Sequence, residues 1–248
     1  ANIAYRLLED LGVSKEHLVY GRAPHEFKHP YGFDQPLDDW AELVVANGFF
    51  DRAGITLLGD VHRNTSYGPL KRALVKVDME ETFHLRHGEV WMRRLAKAGG
   101  EARAMLQRAV DWMFPMTLEW FGLPDEMKRH SGQLDFKLKG LTNDQLRQVW
   151  MDSTVPLCES LGLEVPAHWS DESESYELDY PFPCHYDAEA KHWDFDAGEI
   201  PWEQVFQRWK GRGPMNEWYV ESIRASRHRV GAWLDTPLSE QSDAPAEA

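Results

Sequence analysis

The chain is short of cysteine. It has two, Cys158 and Cys184, among 248 residues. No CxxC or Cys…His spacing suggests zinc, and no disulfide framework is implied. It has no apolar run of about 18 residues that could cross a bilayer, and no signal peptide. It is poor in positive charge, with 27 basic against 41 acidic residues and a net charge of −14. Such a field repels nucleic acid and anionic membranes, so neither is an expected partner, and the expected location is cytoplasmic. Any anionic ligand has to be held by a local basic patch. There is no Gly-rich phosphate loop, no Ser-His-Asp set, no nucleophile elbow and no internal repeat.

What is present is a sequence able to bury a core. It is 42% hydrophobic and 12% aromatic, with 11 Trp, which excludes a disordered chain. The hydrophobic period is helical over most of the length, and the fold class read from it is all-α. The opening "ANIAYRLLEDLG" puts Ile3, Ala4, Leu7, Leu8 and Leu11 on one face and ends at Gly12. It has no N-cap ahead of it and reads as the last turns of a helix that begins upstream. "SKEHLVYG" reads as a short helix capped by Ser14, and 21–37 as a long loop. Long helices are expected over about 38–62, 69–97 and 101–121. Thr142 and Gln145 have the form of a capping box opening a helix to about Leu161. Residues 163–200 read as an extended or irregular excursion with short strands. Two helices follow, at 201–210 and 214–234. The whole is expected to be one domain over 1–234, with 235–248 a disordered acidic tail.

One stretch, "MEETFHLRH" (79–87), poses a chemical question, because it places two carboxylates and two imidazoles within three turns of helix. Leu70, Leu74, Val77, Glu81, His84, Gly88, Trp91 and Leu95 alternate steps of four and three, the spacing of a core-facing seam. Leu37, Ala41, Val44, Gly48, Asp51, Ile55 and Leu58 do the same on the preceding helix. A short turn joins the two helices, so they are antiparallel, and Asp51 and Glu81 are equidistant from Ser66. Facing carboxylates raise each other's pKa, and a buried uncompensated charge costs several kcal/mol. A cation removes both problems. Glu-x-x-His with a carboxylate from a neighbouring helix is half of a four-carboxylate, two-histidine bundle site, and this donor set suits iron or manganese. A hydrogen-bonded Glu–His pair in the core fits the same pattern. Glu26/His29 and Glu189/His192 share the spacing but lie outside helical pattern. Lys137, Lys139, Lys210 and Arg212 each precede a helix N-terminus and are candidates for holding phosphates. The alternative for them is solvated charge. The many Trp residues read as core packing.

With these residues in hand, the chain resembles the catalytic A subunits of ring-1,2-phenylacetyl-CoA epoxidases, bacterial multicomponent monooxygenases. The resemblance rests on "SYGPLKRALVKVDMEETFHLRHG" (66–88), "LTNDQLRQVWMDSTVPLCESLGLEVP" (141–166), "GEIPWEQV" (198–205), "GRGPMN" (211–216) and "LLEDLG". It implies a ferritin-like helical bundle with a non-haem di-iron centre. It implies insertion of one oxygen atom from O2 into the ring of phenylacetyl-CoA. The electrons come from NADPH through a reductase subunit carrying FAD and an iron–sulfur cluster. A homologous, metal-free C subunit and a small B subunit are the implied partners. Asp51, Glu81 and His84 match the family's ligands residue by residue. The family's first Glu-x-x-His ends just before the position of Ala1. The chain is therefore expected to continue upstream by roughly 60 residues or more at common helix and loop lengths. As it stands it is expected to hold half of a site and to be inactive alone. The rival readings are a metal-free helical scaffold subunit of such a complex, or another bundle di-metal acyl-CoA oxygenase.

Overall fold

The computed structural model describes residues 2–27, 29–128 and 132–235. Among these, eight α-helices carry the fold. They are α1 (Asn2–Asp10), α2 (Trp40–Asn64), α3 (Gly68–Ala98), α4 (Gly100–Trp120), α5 (Gly132–Asp135), α6 (Asn143–Ser160), α7 (Trp202–Gly211) and α8 (Pro214–Asp235). The mostly helical bundle with a C-terminal excursion, expected from the sequence, is what the chain forms. The expected acidic tail lies, from residue 236 on, outside the described residues.

Local signals set most boundaries. Asp39 caps α2, its carboxylate accepting from the Glu42 amide at 2.9 Å. Thr142 and Gln145 form the reciprocal capping box at the start of α6, with bonds of 2.9 and 3.2 Å. Gly99 and Gly100, both at positive φ, turn α3 into α4 without a loop. The expected helix after Ser14 is a single wide π-type turn, His17–Gly21.

The core lies between α2, α4 and α6. Val45, Phe49 and Ala53 of α2 meet Leu106, Met113 and Phe114 of α4 and Trp150 of α6, all fully or almost fully buried. The Trp150 ring stands edge-on to Phe49 at 5.5 Å, and its indole N–H donates to the Phe49 carbonyl at 3.1 Å. The excursion at 163–200 takes the extended form, with short strands. It forms two antiparallel hairpins, β1 (Ala167–Ser170) with β2 (Ser175–Leu178) and β3 (Cys184–Asp187) with β4 (His192–Glu199). Trp193 anchors the second hairpin on the bundle by donating to the Trp112 carbonyl at 2.8 Å.

The long loop is partly interior. Its Tyr31, Gly32, Asp34 and Gln35 are buried. Asp34 holds it down, with Oδ1 2.5 Å from His29 Nε2 and Oδ2 2.5 Å from Arg212 Nη2, and with the Gly213 amide donating to Oδ2 at 3.1 Å. A carboxylate buried this completely needs such a set of partners.

Candidate metal centre

α2 and α3 are antiparallel and cross at glycine. A Cβ on Gly88 would lie 2.6 Å from the Gly48 nitrogen, and one on Gly48 would lie 2.6 Å from Met92 Sδ. Only glycine allows this approach. Two side-chain contacts join the same pair of helices, Arg52 Nη2 to Glu89 Oε1 at 2.5 Å and, nearer the turn, His62 to Asp78.

Just beyond the crossing, Asp51, Glu81 and His84 each offer a ligand atom, and these atoms all lie within 4.8 Å of one another. His84 Nδ1 is 3.5 Å from Glu81 Oε2. Among the described residues no other group of three such donors comes together in this way. Burial pushes the Asp51 carboxyl up to about 6, helped by the Glu81 charge and opposed by His84. Two carboxylates that repel each other, with an imidazole beside them, are a donor set that a hard divalent cation neutralises. The residues present therefore fit a metal of the iron or manganese type.

The seam reading needs correction in one respect. In α3 only Leu74, Gly88 and Met92 are buried. The helix packs chiefly on α2, so its covered face is narrow. Glu81 falls on that face, while the side chain of His84, at its edge, is 59% exposed. Leu37 precedes α2 and is exposed, and Asp51, Ile55 and Leu58 of α2 are only half-buried. Ala41, Val44 and Gly48 are buried as the seam requires, and the core face widens to take in Val45, Phe49 and Ala53.

An apolar hollow of about 180 Å³ opens beside the carboxylates. Pro30 and Phe33 of the loop, Phe50, Gly54 and Leu58 of α2, and Trp120 at the end of α4 line it together with Asp51 and Glu81. Phe33 meets Phe50 edge-on at 5.4 Å. A second hollow of about 220 Å³, lined by His29, Tyr31, Met116 and Trp209, shares the Pro30–Trp120 wall. Sequence reading missed these linings. Gly54 and Leu58 were within its reach, since they follow Asp51 by three and seven residues on the same helical face. Pro30, Phe33 and Trp120 arrive through long-range packing that no local pattern announces.

The four basic candidates divide. Lys139 is buried, its ammonium 2.9 Å from Asn143 Oδ1, with its pKa lowered first by burial and then by Lys128. Arg212 is committed to Asp34 and to the carbonyls of His29 and Trp209. These contacts occupy both groups. Lys137 and Lys210 remain exposed charges.

A helical bundle with carboxylates and an imidazole converging between two antiparallel helices defines a class of candidate metal-dependent proteins. Residues 1–210 match the family of phenylacetic acid catabolic proteins. Over 231 residues the chain is 32% identical to the A component of 1,2-phenylacetyl-CoA epoxidase from Escherichia coli strain K12, an alignment covering 93% of this chain and 69% of that protein. The chain belongs to the phenylacetic acid catabolic protein family.

Proposed function

We propose that this chain is the catalytic subunit of a multicomponent monooxygenase that epoxidises the aromatic ring of phenylacetyl-CoA. The observation that carries the proposal is the convergence of Asp51, Glu81 and His84 within 4.8 Å at the end of an apolar hollow. The 32% identity to the A component of such an epoxidase supports the substrate class.

The residues divide the work. Asp51 and Glu81 would supply hard oxygen ligands, and His84 a nitrogen, as part of the ligand set of a non-haem di-iron centre. Such a centre, when bound, supplies O2 activation and transfer of one oxygen atom to the ring, with the second leaving as water. A bound cation would favour the ionised form of Asp51, whose pKa burial raises to about 6, and so would displace its proton. Phe33, Phe50, Leu58 and Trp120 bind the ring by contact and exclude water from the reacting face. Electrons arrive from NADPH through a separate reductase subunit with FAD and an iron–sulfur cluster. A homologous C subunit and a small B subunit complete a cytoplasmic assembly.

The test is iron content and NADPH-dependent epoxidation by the assembled complex. Asp51→Ala, Glu81→Ala and His84→Ala, each compared with the unmodified chain, should lose iron and turnover together. Full iron and full turnover in all three variants would end the proposal.

A further inference from the structure

The glycines of α2 and α3 do not all have the same reason to be there. Gly48 and Gly88 are required by the crossing, and a Cβ at Gly59 would press on Arg63 Nη1 at 3.3 Å. Gly54 is different. A Cβ there would meet nothing within 4 Å. The residue sits in the interior of a 25-residue helix, where glycine is destabilising relative to alanine. No turn, positive φ or close backbone approach among the described residues calls for it.

The open space in front of Gly54 is the apolar hollow beside Asp51 and Glu81. Gly54 lies one turn from Asp51 on the same helical face, so any side chain there would stand in the hollow next to the donor atoms. The hollow is about 180 Å³, and each added carbon takes a sizeable part of what an aryl group can use.

We propose that Gly54 is the specificity-determining residue of the ring pocket: its missing side chain is the space that admits an aryl group to the carboxylate–histidine site. This rests on the proposed epoxidase function and deepens it, because it names the position that sets the size of the ring accepted. The helix forgoes local stability at Gly54 for room in the pocket, a trade expected of a binding position.

The experiment uses the assembled complex with Gly54→Ala, Gly54→Val and Gly54→Leu. Four quantities are read for each variant: thermal midpoint, iron content, kcat and KM for phenylacetyl-CoA, and the anaerobic dissociation constant for the same thioester. The expected result is unchanged assembly and iron and a thermal midpoint no lower for Gly54→Ala. KM and the dissociation constant should rise with side-chain size, and kcat/KM should fall about tenfold or more by Gly54→Leu, the effect of methyl-scale changes in an apolar pocket. Unchanged kcat/KM and affinity across the series would overturn the inference. Loss of iron or of assembly in Gly54→Ala would also overturn it, because Gly54 would then be a packing contact for another helix. If the unmodified complex fails to turn over phenylacetyl-CoA, the epoxidase proposal falls separately. Size selection is then read from toluene binding, where weaker binding in Gly54→Leu sustains the inference and equal binding ends it.

Discussion

Gly48 and Gly88 meet backbone to backbone: a Cβ on Gly88 would sit 2.6 Å from the Gly48 nitrogen and 2.8 Å from the Asn47 carbonyl carbon. The contact sets the spacing of α2 and α3 and so the spacing of the candidate ligands. Asp51 follows Gly48 by three residues, while His84 and Glu81 precede Gly88 by four and seven. Because the helices run in opposite directions, all three leave the crossing toward the same end.

Gly88→Ala tests this. Alanine is the better helix former by about 1 kcal/mol, but its methyl has only backbone to displace. Overpacking of this kind destabilises by about 1–3 kcal/mol. The expected outcome is a lower thermal midpoint and weaker iron uptake. A higher midpoint with normal iron would mean that the crossing does not set the site.

Asp51 gives a pH dependence. Its carboxyl rises from 3.8 to about 6 through burial and the Glu81 charge. The folded chain thus binds this proton more tightly than the unfolded one. The contribution to stability is fully present below about 3.8 and is lost as pH rises through about 6. In metal-free protein, Asp51→Asn should remove that decline, leaving the variant more stable than the parent at about pH 8 and the two closer at about pH 4. Urea denaturation at the two pH values measures it, and a parent more stable than the variant at the higher pH would contradict the assigned repulsion.

The Asp34 clasp makes a stability prediction. Its carboxylate is fully buried and shared by His29, Arg212 and the Gly213 amide. Removing one partner of a buried pair costs about 3–5 kcal/mol, because the other charge is left uncompensated. Asp34→Ala should lose about that much, and Arg212→Ala a similar amount. The double variant should lose much less than the sum. Denaturant titration of the parent, the two single variants and the double variant measures the coupling, and simple additivity would show that the two side chains act independently.

The legible parts of this molecule are those encoded by neighbours along the chain. The Thr142–Gln145 box, the Gly99–Gly100 break and the α2–α3 hairpin follow from residues close in sequence, and the hairpin in turn brings Asp51 to Glu81 and His84. Exposure is harder to read. A step of four and three shows that Glu81 and His84 are near one face, but the width of the covered face depends on how many helices pack there. That is why His84 lies largely in solvent. Arg212 reads as a free charge because Asp34, which engages it, is far away in the chain and is brought there by tertiary packing, and Lys139 because its burial is tertiary, although its partner Asn143 is only four residues on. The strands at 167–170 and 175–178 are too short to show a period.

The last prediction concerns α3. Val75, Met79, Phe83 and Val90 are exposed, Phe83 by 71%. At about 100° per residue they fall together on the side of the helix away from Leu74, Gly88 and Met92. An apolar stripe of this kind on a helix beside the candidate site is the surface that the proposed helical partner should cover. A permanent pairing of two such chains should bury more than about 2,000 Å² in total. Phe83→Asp should leave the isolated chain's stability within about 0.5 kcal/mol, as surface changes usually do. It should also abolish co-purification with the partner. Thermal unfolding of the isolated chain and size-exclusion chromatography of the co-expressed pair separate the two effects. Intact pairing in Phe83→Asp would assign the partner to another face of the bundle.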